Sequence, residues 1–138
     1  MDGLVDLLYK RMNEREPLYE GFRFDTSPFR FRLHKHAVSY WQYPFAEYPP
    51  YISAGAVLLN AEAVSLFFHA SRHLRVYLMD DVYAGIIALL MHIDARHNPS
   101  FAFWERSISP SEWSSFIAIH GYSSDRLVSE YTRLMSPH

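Results

Sequence analysis

One feature limits the fold of this chain more than any other. A short apolar run, Ala56–Leu59, leads directly into Asn60, and Asn60 opens a helical period over Ala61–Ser71. Asparagine is a strong helix N-cap, and Ala63, Val64, Phe67 and Phe68 recur at the spacing of one helix face. A strand that runs straight into a capped helix sets sheet and helix in adjacent layers. A second helix is expected over Asp81–His92, begun by Asp80, with Val82, Ile86, Leu89 and Leu90 as its buried stripe.

Other segments fill in around this pair. Leu4–Met12 carries Leu4, Leu7, Leu8 and Met12 at helical spacing, and Asp125–Leu134 repeats the pattern behind Ser123 or Ser124. Strands are expected at Leu18–Phe24, Phe29–Leu33, Lys35–Tyr40, Phe101–Trp104 and Phe116–His120. A proline-studded loop covers Tyr43 to Tyr51. Strands and helices mix without strict alternation, so the expected class is α/β with a mixed sheet and flanking helices.

Composition removes several kinds of chemistry. The chain has no cysteine, which excludes disulfides, thiol catalysis and thiolate zinc sites. A formal charge of -2 gives no basic excess for nucleic acid. The apolar run Gly85–Met91 is far too short to span a membrane, and Met1–Lys10 lacks the basic-then-apolar pattern of a signal peptide.

Four features could carry chemistry. Asp80 and Asp81 stand at the mouth of an apolar helix. Capping accounts for both, since carboxylates there satisfy free N–H groups and complement the helix dipole. Aimed into a cleft, the same pair could serve as a general base. Tyr48-Pro49-Pro50-Tyr51 runs into the small residues Ser53-Ala54-Gly55-Ala56. Small residues let a backbone approach a ligand, although tight packing explains them equally. His120 ends an expected strand, and one imidazole is not a metal site. Lys35–Trp41 is a basic and aromatic stretch, weak by itself.

Order and spacing add what each feature lacks. Lys35 and Val38, then Tyr43-Pro44, then Tyr48–Tyr51 with Ser53 and Gly55, then Asp80-Asp81-Val82 with Gly85, resemble the β-1,3-galactosyl- and N-acetylglucosaminyltransferase family. The resemblance runs from about Leu4 to Leu134. It implies a nucleotide-sugar transferase fold, of which this chain would be the C-terminal, acceptor-side half. It further implies an inverting hexosyltransferase that forms a β-1,3 link from a UDP-sugar, galactose or N-acetylglucosamine, to a glycan on a glycoprotein or glycolipid. Carried over by motif, Asp81 is the base and Asp80 its helper. Lys35, Tyr48, Pro50, Tyr51, Ser53 and Gly55 shape the sugar pockets, and His120 ligates a divalent ion, manganese. The family is held in the Golgi membrane by a type II anchor.

Departures from the family pattern are His36 where a tryptophan is common, Ala54 and Ala56 where glycines are, and Ile52 in place of a cysteine. The family also has an Asp-x-Asp metal motif ahead of the segment matching Leu4–Met12, and none occurs in this sequence. Residues 1–138 are therefore expected to form a partial catalytic domain without the donor- and metal-binding half, inactive when isolated. The alternative is a non-catalytic remnant of the same fold that binds carbohydrate or a partner. A hydrolase built on Asp80, Asp81 and His120 lacks an activated serine or a closed metal set.

Overall fold

The computed structural model describes residues 2–135. Four helices, α1 (Asp2–Arg11), α2 (Ala61–Ser71), α3 (Asp80–Leu90) and α4 (Ser124–Met135), surround two small sheets. The larger sheet has the order β2-β1-β3. Its members are β1 (Tyr19–Phe24), β2 (Tyr51–Leu59) and β3 (Ala95–His97). β1 pairs antiparallel with β2 and parallel with β3, which makes the sheet mixed, as the sequence led us to expect. The second sheet is a parallel pair, β4 (Phe101–Ala102) with β5 (Ala118–Ile119). A 3-10 turn at Trp113–Ser115 precedes β5. No helix among the described residues is long and apolar enough to cross a membrane.

The core forms two clusters, joined by α3, which enters the first through Ala88 and the second through Val82. Tyr19, Ile52, Ala88, Ile93 and Ala95 make the first, where α3 covers the sheet. Val38, Tyr43, Tyr48, Tyr51 and Val82 make the second, which is largely tyrosine. Asn60 caps α2 as expected, its Oδ1 accepting from the Ala63 N–H at 3.0 Å. The same oxygen accepts from the Leu18 N–H at 3.0 Å, so the cap also fastens α2 to the approach to β1. Beneath α1, the buried carboxylate of Glu20 is held by Arg11 at 2.9 Å and by the Asn98 amide at 2.7 Å.

Several expectations are corrected. The strand expected at Ala56–Leu59 begins five residues earlier, at Tyr51. Its register on β1 jumps from Gly21–Val57 to Arg23–Ile52, so Ser53–Ala56 form a wide bulge out of the ladder. Phe29–Leu33 and Lys35–Tyr40 are not strands. They meet in a single bridge, Phe29 with Ala37, and tight turns closed by His34 N–H to Phe31 C=O and Ala37 N–H to His34 C=O take up their backbone groups. The strands expected at Phe101–Trp104 and Phe116–His120 shrink to two residues each.

Helix details shift as well. The N-cap of α3 is Met79, with no side-chain cap, and both aspartates lie inside the first turn. Leu89 and Leu90 are exposed, while Gly85, Ile87 and Ala88 are buried with Val82. The helix ends short of His92, which adopts a left-handed φ of 56°. On α2, Val64 and Phe68 face outward, and Leu66 with Phe67 packs on the core.

Candidate active site

Asp80 and Asp81 occupy the first turn of α3, where main-chain N–H groups have no helical partner. Asp80 Oδ1 accepts from the Asp81 N–H at 3.0 Å, and Asp81 Oδ1 accepts from the Val82 N–H at 2.8 Å. Both carboxylates therefore act as helix-start caps. Their surroundings separate them, because Asp80 is exposed and Asp81 is half-buried.

The pair forms the ridge between two clefts. One, of about 500 Å³, is lined by Thr26, Lys35, His36, Tyr48, Tyr51 and both aspartates, among others. The other, of about 220 Å³, is lined by Tyr19, Ile52, Ser53, Ala54, Phe67 and the same aspartates. Of the residues singled out from the sequence, Lys35, Tyr48, Tyr51, Asp80 and Asp81 thus share one cleft, and Ser53 reaches the adjoining one. Pro50, Gly55 and His120 line neither. The Pro50 carbonyl lies against Gly85, and a β-carbon built on Gly85 would stand 3.0 Å from it. Gly55 and His120 touch each other instead.

The electrostatics favour Asp81 as a base. Burial pushes its carboxyl above the ordinary value, and the neighbouring Asp80 charge adds to the rise. The Val82 N–H and the His36 side chain oppose it. A carboxylate with weakened hydration is a stronger proton acceptor than a solvated one, and the N–H donor that holds it in place only partly offsets the gain. Nearby tyrosines remain protonated donors. Burial raises Tyr51 and pushes Tyr19 up to about 12, with the Asp81 charge contributing to both. The Tyr51 and Thr26 hydroxyls are 3.0 Å apart, and those of Tyr48 and Tyr77 also 3.0 Å. These pairs fix the tyrosine wall of the larger cleft.

The manganese ion implied by the family resemblance meets one imidazole here. His120 is exposed, and the described residues contain no group of three His, Asp or Glu side chains that could hold a metal. The residues present do not by themselves fit a divalent ion. A separate apolar groove lies between the 3-10 turn and α4, lined by Trp113, Phe116, Leu127 and Tyr131. Its carboxylate, Glu130, is already paired with Arg133 at 2.6 Å, so the groove offers no free base.

Thr26 and Ser27 were not singled out from the sequence, yet they line the main cleft, and so does His36, which was noted only as a departure from the family pattern. The signal for His36 was its place inside the stretch Lys35–Trp41. Thr26 and Ser27 carried none, because a turn between unpaired segments is placed only by the fold.

Residues 1–99 match the profile of a family described as Galactosyltransferase. Over 126 residues the chain is 47% identical to Beta-1,3-galactosyltransferase bre-5 of Caenorhabditis elegans, an alignment covering 91% of this chain and 39% of that protein. It is 39% identical over 114 residues to Beta-1,3-galactosyltransferase brn of Drosophila melanogaster, covering 82% of this chain and 35% of that one. A mouse UDP-GalNAc:beta-1,3-N-acetylgalactosaminyltransferase 1 is 28% identical over 122 residues, covering 85% and 37%. The chain spans less than two fifths of the length of these relatives. The profile match takes in both aspartates and the tyrosine wall and stops short of His120.

Proposed function

The chain belongs to the galactosyltransferase family, and from that premise we propose that it supplies the acceptor side of an inverting β-1,3-glycosyltransferase site in which Asp81 is the general base. The observation that carries this reading is the position of Asp81. It is a half-buried carboxylate with a raised affinity for protons, on the ridge between two clefts.

The proposed reaction is a single displacement. An acceptor sugar in the tyrosine-walled cleft presents its 3-hydroxyl to the Asp81 carboxylate. Asp81 takes the proton as the hydroxyl oxygen bonds to the anomeric carbon of the donor, and the bond from that carbon to the UDP oxygen breaks on the opposite face. One proton goes to Asp81, and the electron pair leaves with the diphosphate. Asp80 caps the first turn and adds the negative charge that strengthens Asp81 as a base. Lys35, Tyr48, Tyr51 and Ser53 contribute the surrounding polar surface. The names of the relatives support UDP-linked galactose or N-acetylgalactosamine as the donors to try first.

The test is transfer from each UDP-sugar to β-linked glycan acceptors by an active protein carrying these residues, with and without Asp81→Asn. Retained turnover in the variant removes Asp81 from the chemistry.

A further inference from the structure

Resting on that reading, we propose that the loop bearing Tyr40 and Trp41 is a stacking platform for the acceptor glycan, binding sugars beyond the one that reacts. Trp41 is 98% exposed and Tyr40 67%. A ring this open contributes almost no burial to stability and raises the risk of association.

The loop that holds these rings is braced. The Arg30 guanidinium donates to the carbonyls of Val38 at 3.0 Å, Tyr43 at 3.0 Å and Phe45 at 2.6 Å. It also sits 4.1 Å from the centre of the Tyr40 ring. Ser39 donates from its N–H and its hydroxyl to Gln42 Oε1, each at 2.9 Å. An open tryptophan is thus displayed on a fixed loop. Pre-organisation of this kind lowers the ordering cost of binding.

The platform connects to the candidate site. The cleft holding Asp81 meets a second hollow at Leu78, and Trp41 and Gln42 line that hollow together with Arg75. Trp41 and Gln42 are shared in turn with a third hollow, lined also by Arg32 and Tyr40. The result is a shallow groove leading from Asp81 past Leu78 to Trp41. Its lining combines the rings of Tyr40, Trp41 and Tyr77 with the side chains of Arg32, Gln42 and Arg75. A pyranose ring has the matching form, with an apolar C–H face edged by hydroxyls. A glycan whose reacting end lies at Asp81 would lay its following sugars along this groove.

The test uses the purified chain and two β-linked tetrasaccharides, chitotetraose and lacto-N-neotetraose, each against its terminal monosaccharide. Affinity is read by calorimetry, and Trp41 by protection from acrylamide quenching in a Trp104→Phe, Trp113→Phe background, since those two tryptophans are exposed as well. At least one tetrasaccharide should bind about tenfold more tightly than its monosaccharide and shield Trp41. Trp41→Ala should abolish that gap, while Trp41→Phe retains most of it. Because Trp41 is exposed, neither variant threatens folding. Equal affinities, no binding of any probe, a gap that survives Trp41→Ala, or a Trp41 already shielded in a self-associated chain would each overturn the platform. Asp81→Asn should leave the gap intact, so loss of the platform and loss of the base assignment are read separately.

Discussion

The Gly55 Cα lies against the His120 ring, so close that a β-carbon built on Gly55 would stand 2.6 Å from His120 Cγ and 2.7 Å from its Cβ. The glycine in the small-residue stretch is therefore required by the close approach of β5, the strand that ends beside His120. Gly55→Ala must displace either the β2 bulge or His120. Overpacking of this kind costs about 1–3 kcal/mol. Urea unfolding of Gly55→Ala should show that loss, and the double variant Gly55→Ala, His120→Ala should recover only part of it, because alanine keeps the β-carbon that stands 2.7 Å away.

Gly85 makes a comparable contact on the other side. A β-carbon there would meet Tyr51 Cβ at 2.6 Å. Helix propensity alone favours alanine over glycine by about 1 kcal/mol. The contact is with a buried backbone-proximal atom, so it should outweigh propensity. Gly85→Ala is expected to destabilise by about 1–3 kcal/mol, and to lower turnover as well, since α3 carries Asp81. A more stable Gly85→Ala would show that α3 can shift freely on Tyr51.

Glu20 is 1% exposed, and its carboxylate joins Arg11 and Asn98. Glu20→Ala strands a partly exposed arginine and a partly exposed amide. Removing one member of a buried pair costs about 3–5 kcal/mol, and the partial exposure of Arg11 places the expected loss at the lower end. Thermal or urea unfolding measures it directly.

How much of this was legible in sequence depended on where each segment obtains its partners. Asn60 was readable because capping is local, and its oxygen does accept from Ala63. Asp80 and Asp81 were readable as a helix start for the same reason, although Met79 holds the cap position itself. Phe29–Leu33 misled because alternation implies a face to bury against. No sheet edge is available there, and Phe31 and Leu33 are left 69% and 86% exposed. Leu89 and Leu90 misled because the buried arc of α3 is set by contact with Tyr51 and the sheet, which favours Gly85 and Ala88. The extension of β2 back to Tyr51 was not legible because its strand character depends on β1, whose paired residues lie far off in sequence, from Arg23 with Ile52 to Tyr19 with Leu59. β3, three residues long, exists only through its pairing with β1.

The raised pKa of Asp81 has a sign that can be checked. Between its ordinary value of 3.8 and its raised native value, the folded state holds the proton more tightly than the unfolded chain does. Asp81 therefore detracts from stability at neutral pH, and that penalty fades as pH falls through the raised value. Asp81→Asn, which keeps an acceptor for the Val82 N–H, should be more stable than the parent at pH 7, with the difference shrinking toward pH 4. Comparing the two proteins cancels the opposite trend from Asp25 and Glu14, both of which are lowered by arginine partners. In the active protein the rate should drop on the acid side through this same raised value, because only the ionised carboxylate accepts a proton.

The central claim is that Asp81, and not Asp80, removes the acceptor proton. The most direct measurement is single-turnover transfer by an active protein carrying these residues, compared with its Asp81→Asn and Asp80→Asn variants at saturating UDP-sugar. General-base catalysis contributes about 10²–10⁴-fold, so Asp81→Asn should lower the rate by that order while donor affinity holds. Asp80→Asn should lose less than about tenfold, together with a helix-start contribution on the order of 0.5 kcal/mol. Near-normal turnover in Asp81→Asn, or abolished turnover in Asp80→Asn with Asp81 intact, would contradict the account.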